Sequence, residues 1–227
     1  MAILGTLLLP HLPQNSNILD VCCGTGHLAR SLTDAGLRVT GIDASREMLN
    51  YARKNAPLAD LVLGDARQFS LLPTFDAAVS TLDSLNHFLT LDELAQVFCN
   101  VRRALKVGGL FLFDVNMEEG FRIRWSGSAT IVASDNVLIL RASYKPHEKI
   151  GRNDITMFRI REGDWVRSDM ILLEKCYSKD ELNQVIANAG FVVVSHHDAA
   201  TLSSRHFLDL SVSRNIGRAL LLVRKMA

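Results

Sequence analysis

Ile18-Leu19-Asp20-Val21-Cys22-Cys23-Gly24-Thr25-Gly26-His27-Leu28-Ala29 is the stretch on which the reading of this chain turns. An apolar run carrying one carboxylate breaks into a glycine turn, and the turn opens an amphipathic segment. That order predicts a strand, a tight loop and a helix. A junction of this kind presents helix N-terminal N–H groups and bare backbone to a ligand.

Outward from it the rhythm repeats. Leu28, Ala29, Leu32 and Ala35 share one helical face, with Gly36 as the stop. Residues 38–43 read as a second strand tipped by Asp43, and Ser45 caps a helix with Met48, Leu49 and Ala52 inward. Residues 60–65 make a third strand, also ending in a carboxylate, Asp65. Residues 75–81 make a fourth, followed by the polar run Asp83-Ser84-Leu85-Asn86-His87. Thr90 and Glu93 have capping-box spacing and open a helix with Leu94, Val97, Phe98, Val101 and Leu105 inward, stopped by Gly108-Gly109. Residues 110–115 form strand five. Apolar strands alternating with helices predict an α/β, Rossmann-like parallel sheet covered by helices on both faces.

The period changes after residue 120. Residues 130–133, 137–143, 156–161 and 165–176 read as strands with short connections and no helices between them, which means antiparallel pairing. They predict a β insert of about 55 residues, from 121 to 176, between strand five and the following helix. Such an insert extends the sheet, makes a homodimer interface, or covers a substrate. The α/β rhythm then resumes. A capping box at Ser178 and Glu181 opens a helix with Leu182, Val185, Ile186 and Ala189 inward and Gly190 as its stop. Residues 191–195 follow as strand six, then a polar loop through Ser203-Ser204-Arg205-His206, then a last strand at 218–223. With no repeat, linker or low-complexity tract, residues 1–227 read as a single domain, its core at 1–120 and 177–227.

The bulk numbers bound the function. A chain of 227 residues, 48% apolar and 22% charged, suits one soluble domain with a substantial core. A net charge of +1 gives no electrostatic reason for nucleic-acid or membrane-surface binding. Cys22, Cys23, Cys99 and Cys176 form no Cys-x-x-Cys pair, so reduced thiols and a cytoplasmic location are expected. The apolar stretch 3–12 has no basic n-region or cleavage site and is too short to span a bilayer, so a short packed helix is expected there. His196-His197-Asp198 puts adjacent histidines on opposite faces of a strand, a poor chelate, and no metal is expected.

Gly24-x-Gly26-x-x-Ala29 with Asp43 further on satisfies the dinucleotide fingerprint. Two residues argue against that reading. Asp20, four residues before Gly24, would repel a pyrophosphate at the helix end and suits a ligand carrying an ammonium or sulfonium group. Asp65 adds a second acidic strand tip, so that Asp43 and Asp65 offer acceptors for a pair of ribose hydroxyls and for an exocyclic amine. Taken singly, each carboxylate has an ordinary alternative: Asp20 as a cap on the turn, Asp43 as a helix cap, Asp65 as a loop residue.

As a set, these motifs resemble the class I S-adenosylmethionine (SAM)-dependent methyltransferases over almost the whole chain. The family's acidic residue and glycine-rich turn match Asp20-Val21-Cys22-Cys23-Gly24-Thr25-Gly26, with Cys22 standing at the family's first glycine. A Cys-Cys-Gly-Thr-Gly version also occurs in quinone-biosynthesis methyltransferases. The resemblance implies SAM as cofactor, S-adenosylhomocysteine (SAH) as its product, and a seven-stranded, mostly parallel sheet whose last strand is antiparallel. It implies cofactor contacts from Asp20, Cys22, Gly24 and Gly26, and ribose binding by Asp43. Ala44 and Met48 would flank the adenine, Asp65 and the Ala66 N–H would meet its edge, and Thr81 and Leu82 would lie along the methionine moiety. The 17 residues before Ile18 are fewer than in many relatives, which implies a more open site or one covered by a partner chain or the insert.

The acceptor is less legible. No Asn/Asp-Pro-Pro-aromatic motif follows strand four and no Pro-Cys pair is present, so nucleic acid is not the expected substrate. The run after strand four and the insert resemble small-molecule enzymes, the glycine/sarcosine and amino-sugar N-methyltransferases. His87 stands where some of these place a histidine near the transferred methyl group, and Asp83 is placed to pair with an ammonium; equally, one fits a helix-capping role and the other a turn. The expected activity is methyl transfer to N or O of a small molecule. The alternatives are a SAM- or SAH-binding regulatory or scaffold protein and, against Asp20, an NAD enzyme.

Overall fold

The computed structural model describes residues 2–203 and 216–227. A seven-stranded sheet runs in the order β3-β2-β1-β4-β5-β11-β10. Its strands are β1 (Asn17–Val21), β2 (Arg38–Asp43), β3 (Asp60–Leu63), β4 (Phe75–Ser80), β5 (Leu105–Asn116), β10 (Phe191–Asp198) and β11 (Arg218–Lys225). All neighbours pair parallel except β11, which is antiparallel to both β5 and β10, so the reversed last strand is as expected. The order reverses between β1 and β4. At such a switch point the loops leaving the two strands part and open a crevice beyond the strands' carboxyl ends.

The helices divide between the two faces. α4 (Leu91–Ala104) and α6 (Lys179–Asn188) cover one face, each opened by the expected capping box, at Thr90/Glu93 and Ser178/Glu181. Beneath α4, Phe98 meets Phe111, Phe113 and Phe191 edge-on with centroids 5.3, 5.2 and 6.1 Å away, a geometry that aligns ring edges with ring faces. On the other face Leu4, Leu7 and Leu8 at the amino end, α2 (His27–Asp34) and α7 (Ala199–Ser203) pack over Ile18, Val79, Leu112 and Leu220. The amino-terminal helix α1 (Ala2–Leu7) thus seals the core. α3 (Arg46–Asn55) buries Leu49 and Ala52 against Cys23.

Several local expectations are corrected. Ala35 is exposed because α2 ends at Asp34 and Ala35 is its cap. Met48 points outward, 45% exposed, while its neighbour Leu49 is fully buried. Leu105 belongs to β5, which begins directly at the end of α4. The stretch taken as the start of the insert is a helix, α5 (Glu118–Arg124), with acidic residues in its first turn and Arg122 and Arg124 in its last. Ser204, Arg205 and His206 lie outside the described residues.

The insert itself is a four-stranded antiparallel sheet, β6 (Gly127–Val132), β7 (Asn136–Lys145), β8 (Ile150–Arg161) and β9 (Asp164–Lys175), in that spatial order. The β8–β9 hairpin turns through Glu162 and Gly163, both at positive φ (53° and 94°), the backbone pattern that matches the twist of a tight hairpin. Its base is fixed to α5 by aromatic packing, with Phe121 5.2 Å from both Trp125 and Tyr144. Among the described residues, no helix is long and apolar enough to cross a membrane.

Candidate active site

At the carboxyl end of β1 the chain makes its turn through three left-handed residues, Cys22 (φ 61°), Gly24 (φ 53°) and Gly26 (φ 79°). The two glycines serve different ends. A Cβ on Gly24 would meet nothing within 4 Å, so this backbone faces open space. A Cβ on Gly26 would come within 3.0 Å of Ala52, so that glycine lets α2 and α3 approach. Cys22 tolerates its left-handed turn without the relief a glycine would give. Burial and the carboxylates of Asp43, Asp20 and Asp65 push its thiol up to about 12, so it remains a protonated, unreactive side chain.

Asp20 is 2% exposed and its Oδ2 has no hydrogen-bond partner. Burial, then the neighbouring Asp43, raises its pKa to about 7. Asp43 braces the turn: Oδ2 accepts from the Gly24 N–H at 2.8 Å and Oδ1 from the Ser45 N–H at 2.9 Å. Ser45 in turn caps α3, its hydroxyl accepting from the Met48 N–H. Ala44 and Met48 stand exposed beside this brace.

Asp65 sits beyond β3. Arg67 grips its carboxylate through Nε and Nη2, and Arg67 N–H also donates to it, which holds the acid below the usual carboxylate range. Arg67 reaches Glu93 with its other amino group, tying this corner to α4. Ala66 is buried, and its carbonyl accepts from Asn100.

Beyond β4 the chain is left-handed at two consecutive positions, Leu82 (φ 61°) and Asp83 (φ 56°), before a single 3₁₀ turn at Ser84–His87. Leu82 is 75% exposed, a large apolar side chain displayed next to the glycine turn's strand. Thr81 is half-buried, and its carbonyl accepts from Ser84 Oγ at 2.8 Å. Asp83 turns inward. Its N–H donates to Asp114 Oδ2 at 3.0 Å, and its Oδ2 accepts from Asn116 Nδ2 at 2.6 Å and Arg218 Nη2 at 2.9 Å.

These contacts belong to a group the sequence did not reveal. Arg218 on β11 pairs with both Asp83 and Asp114. Asn116 Nδ2 also donates to Glu174 Oε2 at 3.0 Å, and Asn116 Oδ1 accepts from Arg124 on α5. Burial raises Asp114 to about 6, and burial together with Asp83 raises Glu174 to about 8. Burial and Arg218 lower Arg124. Strand and turn residues far apart in sequence thus meet at the carboxyl end of the sheet.

The end of the insert is stitched to the same place by three successive residues of β9. The His87 ring donates from Nδ1 to the Leu173 carbonyl at 3.1 Å, Glu174 takes the Asn116 bond, and the Lys175 carbonyl accepts from Asn86 Nδ2 at 2.8 Å. Asn86 is fully buried and fully used, for its Nδ2 also donates to the Asn116 carbonyl and its Oδ1 accepts from the Asn116 N–H. His87 itself is exposed. The only sign of this knot in the sequence is polarity at strand ends: Asp114 and Asn116 closing β5, and Glu174 within β9.

The sequence profile of a methyltransferase domain matches residues 18–109, which run from β1 through the glycine turn to the start of β5. A protein of Geobacillus sp. (strain WCH70), provisionally named a methyltransferase, is 30% identical over 185 residues, covering 78% of this chain and 74% of its own. The dTDP-3-amino-3,4,6-trideoxy-alpha-D-glucopyranose N,N-dimethyltransferase of Streptomyces venezuelae is 35% identical over 138 residues, 60% of this chain and 57% of that enzyme. A crystal structure of a SAM-dependent methyltransferase from Clostridium acetobutylicum ATCC 824 superposes with a TM-score of 0.81 at 21% identity, over 100% of this chain and 90% of that one. The turn, the sheet order and the family match agree, and the chain belongs to the class I SAM-dependent methyltransferases.

Proposed function

We propose that this methyltransferase acts on a nitrogen or oxygen of a small molecule, with the cofactor seated across the β1–β4 crevice. The observation that carries the reading is Asp20: a buried carboxyl with a partnerless oxygen, just behind a glycine turn whose backbone faces open space. A cationic adenosyl ligand supplies the missing counter-charge, and a pyrophosphate does not. SAM brings a methyl group already activated on a sulfonium, so the protein's task is alignment and exclusion of water.

The residues fit such a ligand. Cys22, Gly24 and Gly26 offer backbone, and Asp20 a charge for its cationic end. Each Asp43 oxygen takes one backbone N–H and keeps a lone pair for ribose hydroxyls. Ala44 and Met48 are free to flank an adenine, whose edge would meet Ala66 N–H and Asp65. Arg67 already neutralises Asp65, so that carboxylate contributes as a positioned acceptor more than as a charge. Thr81 and Leu82 would line the methionine arm.

His87 is our proton acceptor. The Leu173 carbonyl can only accept, so Nδ1 carries the hydrogen and Nε2 keeps the lone pair. Nε2 would take the proton of an acceptor amine and so free the nitrogen lone pair; SAM, when bound, would supply the methyl group and retain the carbon–sulfur electrons. Asp83 holds the acceptor from the other side.

The amino-sugar activity named for the Streptomyces relative supports a small-molecule acceptor, as does an insert whose last strand reaches the site. We take residues 1–227 as one working unit in which the insert forms the acceptor wall. Ile131, Val166 and Met170 share one face of the insert, the face that also carries Glu174, and are each about half exposed (53%, 43% and 53%); this patch would seat a second copy of the chain. The four free cysteines suit a cytoplasmic location.

Calorimetry with SAM, SAH and NAD tests the cofactor; binding of NAD alone would sink the reading. A radiolabelled-methyl screen over amines, amino sugars and phenols tests the acceptor class, and labelling of a nucleic acid or protein in place of these would refute it.

A further inference from the structure

The cluster behind Asp83 is charge-imbalanced. Among the described residues three carboxyl groups, Asp83, Asp114 and Glu174, stand against two guanidinium groups, Arg124 and Arg218. Asp114 and Glu174 are 2% and 4% exposed, so solvent counter-ions do not reach them. Asp114 Oδ1 is buried without a hydrogen-bond partner, which is costly unless a donor is supplied. Of the three carboxyl groups Asp83 alone is partly exposed, its side chain 23% exposed, in the turn just beyond β4.

Buried sites do not hold a net charge for long. The missing positive charge comes from a proton, a metal ion or an organic cation. A metal is disfavoured by the arrangement: Asn116 and the guanidiniums hold the carboxyls apart, and among the described residues no three acidic, histidine or cysteine groups converge as a ligand set. A proton on the cluster serves when nothing is bound. The cation that arrives at Asp83 during the reaction is then the acceptor.

Resting on the small-molecule reading above, we propose that the unbalanced carboxylate of this cluster, presented at Asp83, recognises the protonated amine of the acceptor, so that the enzyme is an N-methyltransferase of amino compounds and discriminates against the corresponding alcohols. Glu174, carried in from the insert, is the specificity residue that creates the imbalance, acting through Asn116. The Glu174 carboxyl faces Asp83 from the turn after β4, Asn116 from β5, Arg124 from α5 and Arg218 from β11, and these groups set its charge.

The test uses the full chain as wild type, Glu174→Gln and Asp83→Asn, with SAM binding measured on each preparation. Glutamine keeps the bond from Asn116 and removes the excess charge. The first readout is melting temperature against pH. Wild type is expected to lose stability as pH rises from about 4.5 to about 8, because over that range the folded cluster keeps a proton that the unfolded chain has released; Glu174→Gln loses less over the same range. The second readout uses methylammonium chloride against potassium chloride at equal ionic strength and pH 8. Methylammonium is expected to raise the wild-type melting temperature by about 3 °C at tenfold excess over its Kd, with the rise lost in both variants. Equal shifts for methylammonium and potassium, or the same pH slope in wild type and Glu174→Gln, overturn the inference. If wild type fails to bind SAM, it is the methyltransferase reading that falls, and the two failures are told apart. Should Glu174→Gln fail to fold, Asp83→Asn carries the methylammonium comparison alone, and persistence of the shift in that variant overturns the inference.

Discussion

Replacing Asp20 by asparagine exchanges one oxygen for nitrogen where the residue is 2% exposed and Oδ2 has no partner. In the unfolded chain this carboxyl releases its proton near 3.8, in the folded protein near 7. The difference of about three pH units, at 1.36 kcal/mol each, is roughly 4 kcal/mol. Between those two values the folded state holds more protons than the unfolded one. Stability therefore falls as pH rises from about 4 to about 7, and the loss is complete above that. Asparagine does not titrate, so Asp20→Asn escapes this loss. It adds an amide N–H₂ with no acceptor, at about 1–2 kcal/mol. The balance predicts a variant more stable than wild type by about 2 kcal/mol at pH 8 and less stable near pH 4. Affinity for SAM should move the other way, weakening about 10- to 100-fold with the loss of a charge-assisted contact. Denaturant unfolding at pH 5 and pH 8, with calorimetry against SAM, reads both effects. A variant that is less stable at pH 8 and binds SAM as well as wild type would refute the role given to this carboxyl.

Three further outcomes follow from the geometry. Gly24→Ala should cost about 1 kcal/mol in stability, from its positive φ alone, yet remove most SAM binding, whereas Gly26→Ala should damage the fold first through Ala52; melting and calorimetry on both separate the roles. Asn86→Ala leaves the Asn116 N–H, the Asn116 carbonyl and the Lys175 carbonyl without their partner and should destabilise by about 3 kcal/mol, seen as a shift in denaturant midpoint with m unchanged. His87→Gln should lower kcat by a factor of about 10² or more with SAM affinity unchanged; an unaltered kcat at saturating acceptor removes His87 from the chemistry.

How much was legible divides by distance along the chain. Asp20, Gly24, Gly26 and Asp43 announced themselves because a strand, a turn and a helix start are local events with local residue requirements. The capping boxes at Thr90 and Ser178 were legible for the same reason, and so was the switch to antiparallel pairing after residue 120. Glu174 was not: its meaning depends on Asn116, 58 residues away, and on Arg218 on the last strand. Alternation in β9 predicts only that Glu174 faces one side, and which side is buried depends on how the insert docks. Met48 and Ala35 were misplaced because helical periodicity resolves a face and leaves its edges open. Asp65 looked like a free acceptor because nothing in spacing alone indicates that Arg67, two residues on, folds back to grip it.

The stitching of Leu173, Glu174 and Lys175 to the turn after β4 has a consequence for how such a protein diversifies. The glycine turn lies within the first half of the chain, while the strand we propose as acceptor wall comes at the far end of a hairpin sheet. On that reading, substitutions, lengthened loops or exchanged hairpins in β6 to β8 can reshape what is admitted without disturbing the glycine turn, provided Tyr144 and Gly151 keep their packing on α5 and the last three residues of β9 keep their grip. Inheritance of the donor chemistry and invention of the acceptor are thereby uncoupled within one polypeptide.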